Sequence, residues 1–354
     1  MSIDYRSIMS GRRKDPLAVA IRGLLGVASV PYGIAVAVRN RRFDSAASEI
    51  HQSGVPVISV GNLTTGGTGK TPIVGFLANW FRRHDIRVAI VSRGYGRGDA
   101  DANDEALELH ARLPDVPHVQ DVDRVEAARV AVDELEAQVI LMDDGFQHRR
   151  LHRDLDLVVI DATCPFGFDH LLPRGLLREP VKNLRRADLV IITRCDGVDD
   201  SAIVGIERSI GRLNDSIPVV RSRHQPTNLL EYPHGLLPIG EISGRNVGVL
   251  SAIGNPDAFE ATVEACGATI VDSRRLPDHD AYSPDAVREL RSWVESLGDR
   301  IGRVVCTHKD LVKLQTDRLG GKPLAAILIE LAVISNGDAL EAALQSIVQG
   351  APVR

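Results

Sequence analysis

The run Pro56-Val57-Ile58-Ser59-Val60-Gly61-Asn62-Leu63-Thr64-Thr65-Gly66-Gly67-Thr68-Gly69-Lys70-Thr71 decides the fold. An apolar, β-branched segment feeds a glycine-rich turn that ends in Gly69-Lys70-Thr71 and opens an amphipathic stretch, Lys70–Arg83. Strand, loop and helix in that order form a phosphate cradle. The backbone N–H groups of Gly66, Gly67 and Gly69, together with the helix N-terminus, face an anion. Thr64, Thr65 and Thr68 complete the loop. Lys70 is expected to reach the β- and γ-phosphates of a nucleotide, and the Thr71 hydroxyl to bind Mg²⁺. The pattern G-x-x-x-x-G-K-T wants glycine where Thr64 stands, and the strand–loop–helix context offsets that departure.

Outward from this loop, short apolar runs alternate with longer amphipathic ones. Strands are expected at Pro56–Gly61, Arg87–Arg93, Gln138–Asp143, Leu155–Asp161, Ala187–Thr193 and Pro218–Arg221, with helices such as Lys70–Arg83 and Asp123–Leu135 between them. Apolar strands without alternation suit a parallel sheet covered on both faces. The expected fold is therefore a doubly wound, mostly parallel α/β domain. Arg223–Arg245, polar and proline-bearing, reads as a linker. A second, smaller α/β unit follows, with strands Asn246–Ile253 and Arg303–Cys306 and helices Pro256–Cys266 and Ser283–Leu297. The expected parts are a leader (1–43), a nucleotide-binding core (44–225), a linker (226–245) and a smaller domain with the C-terminal tail (246–354). The cleft between two such domains is the expected place for a two-substrate reaction.

The apolar strand that ends in Asp143-Asp144-Gly145 has the form of the acidic segment that completes a magnesium shell beside a phosphate loop. Thr193-Arg194-Cys195-Asp196 only loosely echoes a guanine-reading pattern and reads as a strand end with a polar turn. Four cysteines (Cys164, Cys195, Cys266 and Cys306), far apart and without a C-x-x-C spacing, read as buried thiols of a reducing compartment. Aromatic residues make up 4% of 354 residues, too few for a base-stacking platform, so no nucleic acid partner is expected.

The net charge of −5 hides an asymmetry. Residues 1–43 hold eight basic and two acidic residues, a local +6, which leaves −11 on the remainder. Leu17–Val38 is apolar except for Arg22, and its longest uncharged run, Gly23–Val38, is 16 residues. A spanning helix needs about 20, and Pro31 is expected to break one here. Ala35-Val36-Ala37 resembles a signal-peptidase site, but basic residues follow at once and a nucleotide site belongs in the cytoplasm. A helix packed on the body is a further reading. A helix lying in the interface of an anionic membrane fits best.

Four blocks together resemble the tetraacyldisaccharide 4′-kinase (lipid A 4′-kinase) family: Val60–Pro72, Ser92-Arg93-Gly94-Tyr95-Gly96, Asp143-Asp144-Gly145-Phe146-Gln147-His148 and Leu171–Pro180. Ile253-Gly254-Asn255-Pro256, Pro277-Asp278-His279 and Lys309-Asp310 extend the match. The resemblance implies an ATP- and Mg²⁺-dependent transfer to the 4′-hydroxyl of a lipid-linked glucosamine disaccharide. It also implies a peripheral enzyme on the cytoplasmic face of the inner membrane, and no obligate protein partner is inferred from the sequence.

Roles follow from the same resemblance. Asp104 matches the proposed catalytic carboxylate and His279 its partner. Glu105 and Asp143, with Asp144, are the acids for Mg²⁺. Arg93 and Glu179 join Lys70 as catalytic candidates, and Tyr95, Arg124, Gln147 and His148 match positions near the phosphates or sugar. Asn103 and Ala106 replace the family's flanking glycine and proline, and His308 stands where the family pattern has glutamate. A membrane-recruited nucleotide switch acting on a protein partner shares the loop, the acids and the basic leader. It has no need of His279 or of the Leu171–Pro180 block.

Overall fold

The computed structural model describes residues 5–45, 47–94, 104–278 and 280–351, the side chains of Asp104 and Glu105 excepted. In chain order, α1 (Tyr5–Met9) and α2 (Pro16–Asp44) lead to β1 (Val57–Asn62), α3 (Lys70–Arg83) and β2 (Val88–Ser92). Next come α4 (Asp104–Arg112), β3 (His118–Gln120), α5 (Arg124–Asp133), β4 (Val139–Asp143), β5 (Leu155–Asp161) and β6 (Leu189–Thr193). Then α6 (Asp200–Gly211), β7 (Val219–Glu231), β8 (Gly235–Pro238), β9 (Asn246–Ser251), α7 (Pro256–Ala265) and β10 (Thr269–Arg275) follow. The chain closes with α8 (Pro284–Leu297), β11 (Arg303–Thr307), α9 (His308–Leu314), β12 (Arg318–Leu319), β13 (Lys322–Ser335) and α10 (Gly337–Gly350).

Two compact units result. One holds Met1–Arg93, Val116–Arg223 and Ala332–Arg354, and the other holds Gly94–Asp115 and His224–Leu331. The strands of the first run β3-β2-β4-β1-β5-β6-β7, all parallel. β1, β4, β5 and β6 are buried at every position, as their unbroken apolar runs require once helices cover both faces. On one side Ile140 and Met142 pack with Ala127, Ala128 and Ala131 of α5. In another layer Val190 and Ile192 pack with Ile203, Ile206 and Ile210 of α6.

Two glycines set how closely the central strands meet the turn after β4. A Cβ on Gly61 would stand 2.5 Å from Phe146 Cβ, and one on Gly145 would stand 2.7 Å from Ser59 Oγ. Their bare backbones let the Asp143-Asp144 turn lie directly against the end of β1, where Val60 pairs with Asp143.

In the second unit β9 lies between β10 and β11, and β11 pairs with β13, all parallel. Leu290, Trp293, Val294 and Leu297, spaced to share one face of α8, close the core with Leu250, Ile301, Val304 and Leu324. The proposed linker is corrected here. Residues 219–231 form one strand, and 228–231 pair antiparallel with 235–238. Burial alternates along this strand, so it carries polar residues on one face and reads as a loop by composition. Cys195 and Cys306 are buried as expected, whereas Cys164 and Cys266 are only partly so.

The expected break at Pro31 is also absent: α2 runs 29 residues through it. Asp15 caps its start by accepting from Ala18 N–H at 3.0 Å, and Pro16 takes the first helical position, where no N–H is needed. By length and composition the helix is now sufficient to cross a membrane, so the objection from length falls.

Its faces differ. Ser29, Gly33, Val36 and Asn40 share one face by helical spacing and are turned to the first unit. Ser29 Oγ donates to Leu171 O at 3.0 Å and accepts from Arg174 N–H at 3.1 Å. Tyr32 OH donates to Arg178 O at 3.0 Å. A Cβ on Gly33 would meet Leu171 Cδ1 at 3.1 Å. Leu24, Val27, Val30, Ile34 and Val38 are exposed on the other side.

Candidate active site

β1 delivers the chain into the 63–69 loop, and Gly69 turns it into α3 with φ of 82°, a conformation that side chains strain to adopt. No side chain caps α3, so its first N–H groups are left for a ligand. Gly66 and Gly67 are exposed, while Thr64 and Thr68 are buried. The loop is held from three sides. Thr65 N–H donates to Leu176 O at 2.8 Å. Thr193 Oγ1 donates to Thr68 O at 3.1 Å, and Arg194 Nη1 to Gly67 O at 3.2 Å. Asn62 Nδ2 donates to Thr68 Oγ1 at 2.8 Å. The 193–196 turn, expected only as a strand end, thus supports the loop, and Arg194 is itself paired with Asp161.

Asp144 is the electrostatic centre. Its carboxylate lies 3.3 Å from Lys70 Nζ and 2.6 Å from Arg178 Nη1. Burial alone would raise its pKa, but the two cations hold it well below the usual carboxylate range. Gln147 Nε2 donates to Asn62 O at 2.9 Å, and its Oε1 accepts from Arg178 Nη1 at 3.4 Å. Arg124, 5% exposed, lies within electrostatic reach of Asp143 and Asp144, and its buried Nε has no hydrogen-bond acceptor among the described residues. Burial and the cations Arg124, Arg153 and Arg150 push His148 down to about 4, so it is neutral at pH 7. The structure therefore gathers Lys70, Asp143, Asp144, Arg124, Gln147 and His148, with Thr71 in the first turn of α3. Arg178, the residue beside Glu179, was not singled out in the sequence.

Glu179 sits elsewhere. It is fully buried and receives Asn40 Nδ2 at 2.8 Å and Asn183 Nδ2 at 2.6 Å, with Arg39 at 3.3 Å and Arg186 at 3.0 Å. It fastens α2 to the first unit. Arg93 is exposed at the end of β2, within electrostatic reach of Arg124.

Tyr95, His279 and the side chains of Asp104 and Glu105 lie outside the described residues. In the second unit, α4 and residues 278 and 280 meet α9. Asp104 begins α4, whose Arg112 donates from Nε to His308 Nδ1 at 3.2 Å and from Nη1 to Ile329 O at 2.7 Å, and pairs with Glu108 at 3.0 Å. His308, 3% exposed, is pushed by burial and Arg112 down to about 3 and serves as a neutral acceptor. On either side of residue 279, Lys309 pairs with Asp278 at 3.6 Å and Lys313 Nζ donates to Asp280 O at 2.7 Å. Lys309 thus has a place in the fold as the clamp of that loop.

The donors fit Mg²⁺. The Thr71 hydroxyl and the Asp143 and Asp144 carboxylates are hard oxygens, and this ion is held by one or two carboxylates plus substrate phosphates. No cluster of three His, Cys, Asp or Glu that would cage an ion without phosphates occurs among the described residues.

A parallel sheet, a glycine-rich loop opening a helix, and a lysine facing an acid at the next strand's end define a phosphate-loop nucleotide-binding protein. A profile of the tetraacyldisaccharide-1-P 4′-kinase family matches residues 21–349. The tetraacyldisaccharide 4′-kinase of Anaeromyxobacter dehalogenans strain 2CP-C is 38% identical over 357 residues, spanning 94% of this chain and 92% of that one. That of Anaeromyxobacter sp. strain K is 36% identical, spanning 96% and 94%. The crystal structure of LpxK from Aquifex aeolicus in complex with ATP superposes with a TM-score of 0.73 at 29% identity, covering 92% of this chain and 99% of that one. The chain belongs to the tetraacyldisaccharide 4′-kinase family.

The two neutral histidines give a pH prediction. Both titrate lower in the folded protein than the ordinary value of 6.5, so the unfolded chain takes up their protons first. Stability that is complete above pH 6.5 is therefore lost as pH falls toward 4. Denaturant titrations of His148→Gln across this window are expected to show a pH slope shallower by about one proton, and an unchanged slope would contradict the burial of a neutral ring.

Proposed function

We propose that this chain transfers the γ-phosphoryl group of ATP to the 4′-hydroxyl of tetraacyldisaccharide 1-phosphate, giving lipid IVA in lipid A biosynthesis. The observation that carries the reading is the Lys70–Asp144–Arg178 cluster at the mouth of a phosphate loop, in a chain of this kinase family. A bond forms between the sugar oxygen and the γ-phosphorus, the bond to the β,γ-bridging oxygen breaks, and ADP departs. Loop N–H groups and Lys70 neutralise the phosphates, and Arg178 keeps Asp144 ionised for the metal when Lys70 turns to the nucleotide. Thr71 and the acids at 143–144, with Glu105, would hold Mg²⁺, which would supply charge neutralisation to the transferring phosphates. Arg124, with its unmatched buried N–H, is suited to a phosphate or sugar oxygen.

A sugar hydroxyl is a weak nucleophile whose proton must leave as the phosphoryl group arrives. We assign its acceptance to Asp104 with His279 as partner, a role worth about 10²–10⁴ in rate. With labelled ATP, Mg²⁺ and the lipid in mixed micelles, label is expected in the lipid, and Asp104→Ala and His279→Ala are each expected to lower kcat about 100-fold or more. Full activity in both variants would remove them from the mechanism. Phosphate release dependent on Lys70 without lipid labelling would instead favour the nucleotide switch.

We also place the protein peripherally on the anionic cytoplasmic face of the inner membrane, where ATP is available. The exposed stripe of α2 and the basic residues beside it support this. A fully buried Leu or Val contributes about 1.5–3 kcal/mol, against about 1 kcal/mol per basic residue near anionic lipid, so the apolar stripe dominates attachment. The docked face, tied down from Ser29 to Asn40, favours a helix lying in the interface over one crossing it. Val27→Glu with Ile34→Glu is expected to abolish sedimentation with anionic vesicles and leave transfer to a detergent-dispersed acceptor. Retained vesicle binding would place the attachment elsewhere.

A further inference from the structure

One leader cation, Arg6, is turned toward the phosphate loop. α1 is hung from α2 and the body: Ile8 is 2% exposed, Arg22 Nη1 donates to Ile8 O and Arg13 O, and Arg174 Nη1 donates to Met9 O at 2.7 Å. This fastening carries Arg6 to the phosphate loop, where a Cβ built on Gly66 would stand 3.4 Å from Arg6 Nη2. The same guanidinium is within electrostatic reach of Cys164, on the loop after β5.

The neighbouring cations contrast with it. Lys70 and Arg178 share Asp144, and Arg194 is paired with Asp161. Arg6 has no carboxylate within ion-pair distance among the described residues, and it faces a loop whose exposed glycines offer anion-binding N–H groups. A guanidinium held without a counter-charge beside a phosphate cradle matches a ligand that brings its own negative charge.

We propose that Arg6 is a phosphate-binding residue of the nucleotide site, contacting the polyphosphate of the bound nucleoside triphosphate. The leader thereby contributes to nucleotide binding as well as to membrane attachment. The inference rests on the kinase reading for the identity of the nucleotide as ATP, but the contact itself is read by binding alone.

The test uses the full-length enzyme with Arg6→Gln and Arg6→Lys, with ATP binding followed by calorimetry and KM measured separately for ATP and for the lipid acceptor. Arg6→Gln is expected to weaken ATP binding and raise the ATP KM about tenfold, with the lipid KM and the melting temperature unchanged. Arg6→Lys is expected to restore part of the loss, because a point charge replaces the fork. Wild-type ATP affinity in Arg6→Gln overturns the proposal, as does a rise confined to the lipid KM or to vesicle binding, which would make Arg6 a headgroup contact. A wild type that binds ATP without phosphorylating lipid would fault the kinase reading and leave the calorimetric result on Arg6 intact.

Discussion

The Asp144 carboxylate, shared between Lys70 and Arg178, is the interaction on which the rest of the site depends. An acid with one cation would be left uncompensated whenever that cation moved to a substrate. With two, Arg178 stays paired with Asp144 when Lys70 moves. Arg178 can do this because its backbone is fixed at both ends: its N–H donates to Leu63 O beside the phosphate loop, and its carbonyl accepts from Tyr32 of the leader helix.

The Leu171–Pro180 block thus has two structural duties. Leu176 and Arg178 brace the phosphate loop, while Leu171, Arg174 and Glu179 receive α2. Glu179 is the strongest point of that docking, since a fully buried carboxylate persists only when its charge and lone pairs are matched, here by two amides and two guanidinium groups. The helix with the exposed apolar stripe and the glycine-rich loop after β1 are therefore braced by the same ten residues. That is a physical reason for a lipid kinase to keep this block intact.

The parts written locally in the sequence were the legible ones. α3 begins and ends where its glycine-lysine start and basic end place it, and the unbroken apolar runs of β1, β4, β5 and β6 announced a parallel sheet. The acids at 143–144 followed from the strand that carries them. What escaped was set by long-range contact or by alternation. Residues 223–231 read as the start of a linker because half of a two-sided strand is polar, although 218–221 were expected as a strand. Pro31 looked like a break because nothing local shows that Ser29, Tyr32 and Asn40 pin the helix on both sides of it. Glu179 looked catalytic from its motif, although its partners Asn40 and Arg186 belong to separate segments. Arg194 stands in a stretch that reads as a polar turn and Arg6 carries no motif, and only the fold brings them to the phosphate loop.

The most direct test of the central claim is the chemical identity of the product. The enzyme would be supplied with ATP labelled with ¹⁸O in the γ-phosphoryl group, and the recovered lipid read by ³¹P NMR and mass spectrometry. The account predicts one added phosphomonoester, on the 4′-oxygen of the disaccharide, retaining the labelled non-bridging oxygens. Label found only in inorganic phosphate, or on another position of the sugar, would contradict it.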